Sequence, residues 1–272
     1  MFLLNGEADN TLSLQDRGLH YGDGLFETIA VRGGKIEFWQ RHMRRLAEGC
    51  RRLQIPVPGE GLLLEEARQL LNEQTDAVLK IIITRGPGGR GYRSPDQAQT
   101  TPTRLLAHYD LPVYPDDGVA LRLCATRLGL NPALAGIKHL NRLEQVLARS
   151  EWRNETVYEG LMLDINDQVI EGTMSNLFFV KAGVLHTPDV SNCGVAGIMR
   201  DVIAGSAQQL DVPLHVGHFT LDDLYAADEL FICNSLIGLL PAHRLEQQSY
   251  SIGPLTKRLS SAIEKVSVNE AL

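Results

Sequence analysis

Along the chain, apolar positions follow two periods. Over residues 39–53 they recur at helical spacing through Met43, Leu46, Ala47, Cys50 and Leu53, and Pro56 closes the run. Residues 62–71 predict a second helix. Around these helices the pattern shortens into β-type runs: 2–4 before the turn dipeptide Asn5-Gly6, 28–31, a turn at Gly33-Gly34, 35–38, then 78–84 with 103–108 as its neighbour. Residues 1–109 therefore predict a small α+β domain. Residues 110–118 hold two prolines, three acids and a glycine, which predicts a linker. Over 119–272 the runs predict strands at 119–125, 160–163, 168–170, 176–180, 184–186 and 229–233. Helices are expected at 140–153 and 198–210, with a last one running from Pro254 to about Val266. The fold class is α+β (α/β) with two domains.

Composition narrows the classes. A 272-residue chain with 44% hydrophobic and 22% charged residues is long and apolar enough to bury a core, and disorder is not expected. A net charge of -7 argues against nonspecific nucleic-acid binding. Arg41, Arg44, Arg45, Arg51 and Arg52 cluster on the first helix, mostly as a solvated basic face. Cys50, Cys124, Cys193 and Cys233 are too scattered for a disulfide framework or a metal set, so no metal is expected. Glu7 and Asp9 interrupt the apolar start before a signal-peptide core forms, and no run approaches the roughly 20 apolar residues that cross a bilayer. The expectation is a cytoplasmic protein with no membrane partner.

Candidate chemistry lies in four places. Lys138 stands at the mouth of the predicted 140–153 helix, and Glu171 ends a strand before a turn. A lysine able to form a Schiff base and a buried acid for a ring nitrogen are the minimal equipment for pyridoxal-phosphate chemistry. Alone, Lys138 reads as a surface lysine and Glu171 as a turn residue. Gly86-Pro87-Gly88-Gly89-Arg90-Gly91 matches G-x-G-x-x-G after a strand, but turn sequence follows where a dinucleotide fold needs a helix. What remains is a loop presenting Arg85, Arg90, Tyr92 and Arg93, either a grip for carboxylates or a solvated surface loop. Glycines lead into Ile198-Met199-Arg200-Asp201, a helix start whose free N–H groups suit an anion. Asn234 and Ser235, beyond the 229–233 strand, either add polar donors or close a turn.

These stretches resemble the class IV, or fold-type IV, pyridoxal-phosphate enzymes, which include branched-chain and D-amino acid aminotransferases. The motifs are the run from Asp16-Arg17-Gly18 to Phe26-Glu27, His42-Met43-Arg44-Arg45-Leu46, the Lys138 segment, Glu171-Gly172 to Asn176, and Gly197 to Asp201. They run in family order over most of the chain. The resemblance implies a small α+β domain plus a larger barrel-like domain, bound pyridoxal 5'-phosphate and a homodimer. It implies Lys138 as the Schiff-base and catalytic lysine, with Glu171 at the pyridine nitrogen. Arg45, the N–H groups of Ile198 and Met199, and more loosely Asn234 and Ser235 would hold the phosphate.

Within the family, Arg85 to Tyr92, Arg127 to Pro132, Leu134 to Leu147 and Ile232-Cys233-Asn234 are most similar to the branch that acts on 4-amino-4-deoxychorismate. That branch releases pyruvate and 4-aminobenzoate, a step of folate biosynthesis, and implies that Arg90, Tyr92 and Arg93 meet substrate carboxylates. Thr173-Met174-Ser175 looks nearer to the aminotransferase turn, so a class IV amino-acid transaminase of D-amino acid or branched-chain type, or a lyase with transaminase side activity, is the alternative. A catalytically silent cofactor-binding homologue is the non-enzyme reading.

Overall fold

The computed structural model describes residues 1–72, 74–115, 117–154 and 156–272; Asp116, inside the predicted linker, lies outside the described residues. The chain forms two compact units. The first comprises Met1–Pro112, Ile137–Asn141 and Glu270–Leu272, and the second Val113–Gly136 with Arg142–Asn269.

In the first unit, β1 (Phe2–Leu4), α1 (Arg17–Tyr21), β2 (Gly24–Arg32), β3 (Lys35–Ile36), α2 (Trp39–Leu53), α3 (Glu60–Leu71), β4 (Ala77–Thr84) and β5 (Thr103–Tyr109) follow in order. The strands form an antiparallel sheet ordered β1-β5-β4-β2-β3. Helix α2 forms where the helical periodicity predicts it, with Trp39, Met43, Leu46 and Cys50 buried. It packs on β2 closely enough that a Cβ on Gly49 would sit 2.8 Å from the side chain of Leu25.

Strand β3 pairs with β2 only at Val31 and Arg32, so the Gly24–Phe26 end of β2 needs other partners. Residues 138–140 supply them. Phe26 N donates to the Lys138 carbonyl at 3.0 Å, and Leu140 N donates to the Gly24 carbonyl at 3.0 Å. Their backbone groups are therefore committed to a strand edge. The helix predicted at 140–153 shrinks to α4 (Leu143–Arg149), and Lys138 lies on extended chain rather than at a helix mouth.

The second unit holds β6 (Val119–Leu123), α4, β7 (Glu159–Leu163), β8 (Val169–Gly172), β9 (Asn176–Lys181), β10 (Val184–Pro188), α5 (Ile198–Gln209), β11 (Leu214–Gly217) and α6 (Leu221–Tyr225). After these come β12 (Glu229–Asn234), β13 (Gly238–Leu245), β14 (Gln248–Ser249) and α7 (Pro254–Asn269). Its sheet runs β11-β10-β9-β12-β13-β6-β7-β8, with β14 on β13. In a flat sheet β8 and β9, five strands apart on this path, would be separated by about 24 Å. The four steps from Gly172 to Asn176 reach at most about 14 Å. The sheet must curl, and it closes a barrel-like core of Leu121, Leu161, Leu163, Val169, Leu177, Phe179, Leu230 and Ile232.

Candidate functional site

In the first unit the polar centre is Glu27, on the α2 face of β2. Its carboxylate accepts from His42 Nδ1 at 2.7 Å and from Arg45 Nε at 2.9 Å, and Arg45 Nη2 also bonds it. Turn spacing on α2 brings residues 42 and 45 to one face, and strand alternation turns Glu27 toward them. Burial pushes Glu27 up, but Arg45 and His42 outweigh it and hold the carboxyl at about 2 against an ordinary 4.5. Burial keeps the His42 imidazole below its ordinary value in spite of Glu27. His42 Nε2 is buried without a hydrogen-bond partner among the described residues. Lys138, half-buried, holds its Nζ 4.3 Å from the Phe26 ring centroid, a cation over an aromatic face.

Both lowered values make the fold acid-sensitive. Unfolded His42 takes a proton below about 6.5 that the folded imidazole resists, and unfolded Glu27 takes one below 4.5 that the folded carboxyl refuses until about 2. Calorimetric Tm should therefore fall as pH drops below about 6.5, with Glu27 removing about 3 kcal/mol between its two values. Glu27→Gln should flatten the slope below pH 4.5; an equal slope in the variant would assign acid lability elsewhere.

The glycine-rich loop after β4 divides its arginines. Arg85 is buried and donates to both Asp23 oxygens, at 2.7 and 3.0 Å, and to the carbonyls of Leu53 and Gln54 at the end of α2. It is a structural clamp, not a residue the loop presents, because the last carbonyls of a helix attract a cation. Arg90, Tyr92 and Arg93 are exposed.

In the second unit Glu171 is buried and accepts from Val195 N at 2.8 Å and Asn176 Nδ2 at 3.5 Å. Strict alternation would turn Glu171 to the side of Val169, inside the curled sheet. A bulge between β7 and β8 pairs Leu163 with Val169 but Met162 with Glu171. Glu171 therefore shares the outer face with Met162, Ile170 and Cys193. The guanidinium of Arg142, lowered by burial, is held up chiefly by the Glu171 charge.

Asn176 also fixes the start of α5. Its Nδ2 donates to the Val195 carbonyl at 2.9 Å and its Oδ1 accepts from Gly197 N at 3.1 Å. A Cβ on Gly197 would lie 2.1 Å from that Oδ1, so the contact requires glycine. No protein acceptor among the described residues takes the backbone N–H of Ile198 or Met199, although both residues are buried. Unclaimed donors at the positive end of a 12-residue helix fit a phosphate. Asn234 is occupied by its turn: Oδ1 accepts from Leu236 N and Ile237 N, and Nδ2 donates to the Met174 carbonyl at 3.1 Å. Ser235 follows in that turn, half-buried.

Three residues given no role by sequence reasoning stand out. Glu159, fully buried, accepts from Gly160 N, Thr173 N, Thr173 Oγ1, Met174 N and Ser175 Oγ. Burial pushes its carboxyl up in spite of these donors. The available signal was an acid opening the apolar run Gly160–Leu163. Arg142 falls inside the predicted 140–153 helix but is the residue before α4 in the structure, and Arg17 lies in a motif that carries only resemblance. Among the described residues no group of three or more His, Cys, Asp or Glu could hold a metal, and no helix is long and apolar enough to cross a membrane.

The family model described as amino-transferase class IV matches residues 24–245. The chain is 39% identical to an aminodeoxychorismate lyase of Vibrio harveyi, over 95% of this chain and 98% of that one. It is 32% identical to a putative branched-chain-amino-acid aminotransferase of Methanocaldococcus jannaschii, over 97% and 95%. The solved structure of 4-amino-4-deoxychorismate lyase from Pseudomonas aeruginosa superposes with a TM-score of 0.92 at 44% identity, covering 97% of this chain and 98% of that one. With its motifs in order and the family pattern spanning most of its length, the chain belongs to the class IV aminotransferases.

Proposed function

We propose that this chain is a pyridoxal-phosphate-dependent lyase that converts 4-amino-4-deoxychorismate to 4-aminobenzoate and pyruvate. The observation that carries the reading is near full-length similarity to two lyases, greater than that to the putative transaminase. The donor set suits the cofactor: a lysine for its aldehyde, a buried acid for its ring nitrogen, and unclaimed helix N–H groups for its phosphate. Lys138 carries it and Glu171 favours its protonated ring nitrogen. Arg45, the N–H groups of Ile198 and Met199, and Asn234 with Ser235 take the phosphate. Arg90, Tyr92 and Arg93 take substrate carboxylates.

When bound, pyridoxal phosphate supplies the sink for the electron pair left as the substrate's C4–H bond breaks. Lys138, as a neutral amine, would accept that C4 proton at Nζ as general base. The pair forms the ring double bond as the neighbouring C–O bond breaks. The enolpyruvyl oxygen keeps the C–O electrons, and its methylene carbon takes a proton to give pyruvate. Arg90 and Arg93 orient the carboxylates so that C4–H faces Lys138. Aromatisation drives the step, and no keto acid is consumed.

Residues 1–109 and 119–272 act as the small and the cofactor-binding domain, joined by 110–118. The protein works in the cytoplasm as a homodimer; exposed Leu143, Val146 and Leu147 on α4 offer an apolar face for self-association. The test is incubation of the purified, cofactor-loaded protein with 4-amino-4-deoxychorismate alone. Equal amounts of pyruvate and 4-aminobenzoate are expected. A yellow, folded protein that releases neither, yet transfers amino groups to keto acids, would be a transaminase. A monomer in sedimentation equilibrium would remove the dimer.

A further inference from the structure

We infer that Arg17 is a positioning residue that grips the Arg90–Arg93 loop and holds it in the shape that binds substrate carboxylates. The inference rests on the proposed function only for the loop's substrate. Arg17 is only 3% exposed, although arginine rarely is so buried. Its Nε donates to Asp23 Oδ2 at 2.9 Å, its Nη1 to the Gly91 carbonyl at 3.0 Å and its Nη2 to the Tyr92 carbonyl at 3.3 Å. The guanidinium lies 4.7 Å from the Tyr21 ring centroid. Tyr21 completes the grip: its hydroxyl accepts from Gly91 N at 3.1 Å, and its ring meets the Tyr92 ring edge-on at 5.5 Å.

The two gripped residues, Gly91 and Tyr92, stand between the two exposed arginines. The grip is anchored behind by Asp23, which Arg17 shares with Arg85, and Arg85 is fixed to the end of α2. Burial pushes Asp23 up, but Arg85 and Arg17 outweigh it and leave the carboxyl below its ordinary value, so the pair of arginines meets a charged acid. The loop's entry is shaped to the same side chain. Arg17 N donates to the Gly86 carbonyl at 3.0 Å, and a Cβ on Gly88 would lie 2.6 Å from Arg17 Cδ.

Residues 89–94 are exposed and outside helix and strand, so little else defines their course. A buried guanidinium is costly to desolvate, and here two of its nitrogens are directed at loop carbonyls. Without it, Arg90 and Arg93 would sample many positions, and binding would carry the cost of ordering them.

The test compares the wild-type holoenzyme with Arg17→Gln and, as a milder second variant, Tyr21→Phe. Trypsin cleavage after Arg90 and Arg93, followed by mass spectrometry, should quicken about tenfold in Arg17→Gln and less in Tyr21→Phe. KM for 4-amino-4-deoxychorismate should rise about tenfold while kcat changes by less than about threefold and the visible cofactor band stays in place. Unchanged cleavage in both variants overturns the grip. Faster cleavage with an unchanged KM overturns the positioning role. Loss of kcat, cofactor band and thermal stability in both variants marks a general structural part and also overturns it. Cleavage needs no substrate, so a wild-type protein that releases no pyruvate defeats the proposed function alone and leaves the grip to be judged by proteolysis.

Discussion

Lys138→Ala should reduce lyase turnover by at least about a thousandfold and remove the visible absorption of the bound cofactor. Both losses are expected because the proposed function gives one nitrogen two tasks, tethering the cofactor and taking the C4 proton. The fold should survive, because Lys138 joins the first unit through its backbone. Phe26 N bonds its carbonyl and His139 bridges Leu25, contacts that alanine keeps. The structural loss is the cation over Phe26, worth about 0.5–1 kcal/mol at a partly exposed site. A Tm near wild type alongside lost turnover would therefore locate the defect in chemistry. Persistence of turnover and of the visible band would sink the assignment.

Glu159→Gln should lower the Tm by about 6–12 °C and weaken cofactor retention, although residue 159 makes no ion pair among the described residues. Its carboxylate is the common acceptor for the turn at 173–175: one oxygen takes Gly160 N, Thr173 N and Thr173 Oγ1, and the other takes Met174 N and Ser175 Oγ. Glutamine keeps one acceptor and sets N–H against the Met174 N–H. A buried donor left facing a donor costs about 1–3 kcal/mol, and disturbance of the neighbouring bonds adds to it. At about 2–4 °C per kcal/mol for a chain of this size, a total loss of about 3 kcal/mol gives the shift. The same turn is tied to Asn234 through the Met174 carbonyl and lies between Glu171 and Asn176. Cofactor absorbance per chain should fall with it. A wild-type Tm in the purified variant would overturn this account.

Local chemistry was legible where the sequence decides locally. Helix α2 carries its own period and its closing proline, and it forms at residues 39–53 as expected. Strands β4 and β5 pair as their apolar runs suggest. Lys138 was misplaced because helical periodicity after Leu140 says nothing about an open strand edge elsewhere in the chain, and that edge takes residues 138–140 first. Arg85 read as a loop arginine because neither Asp23 nor the end of α2 is near it in sequence. Strand β13 was missed because Gly238 and Pro241 speak against a strand, yet β12 and β6 flank it on both sides. For Glu171 the residue was legible and its direction was not, since one surplus residue in a ladder leaves no mark in composition.

That surplus gives β8 two packing environments. Val169 answers to the volume of the barrel interior, whereas Ile170 and Glu171 answer to the outer surface, where Glu171 meets Val195. A shift of phase within four residues lets the interior layer drift in size without carrying the acid with it. Repacking of the core and tuning of the carboxylate can thus proceed as independent changes in one short strand.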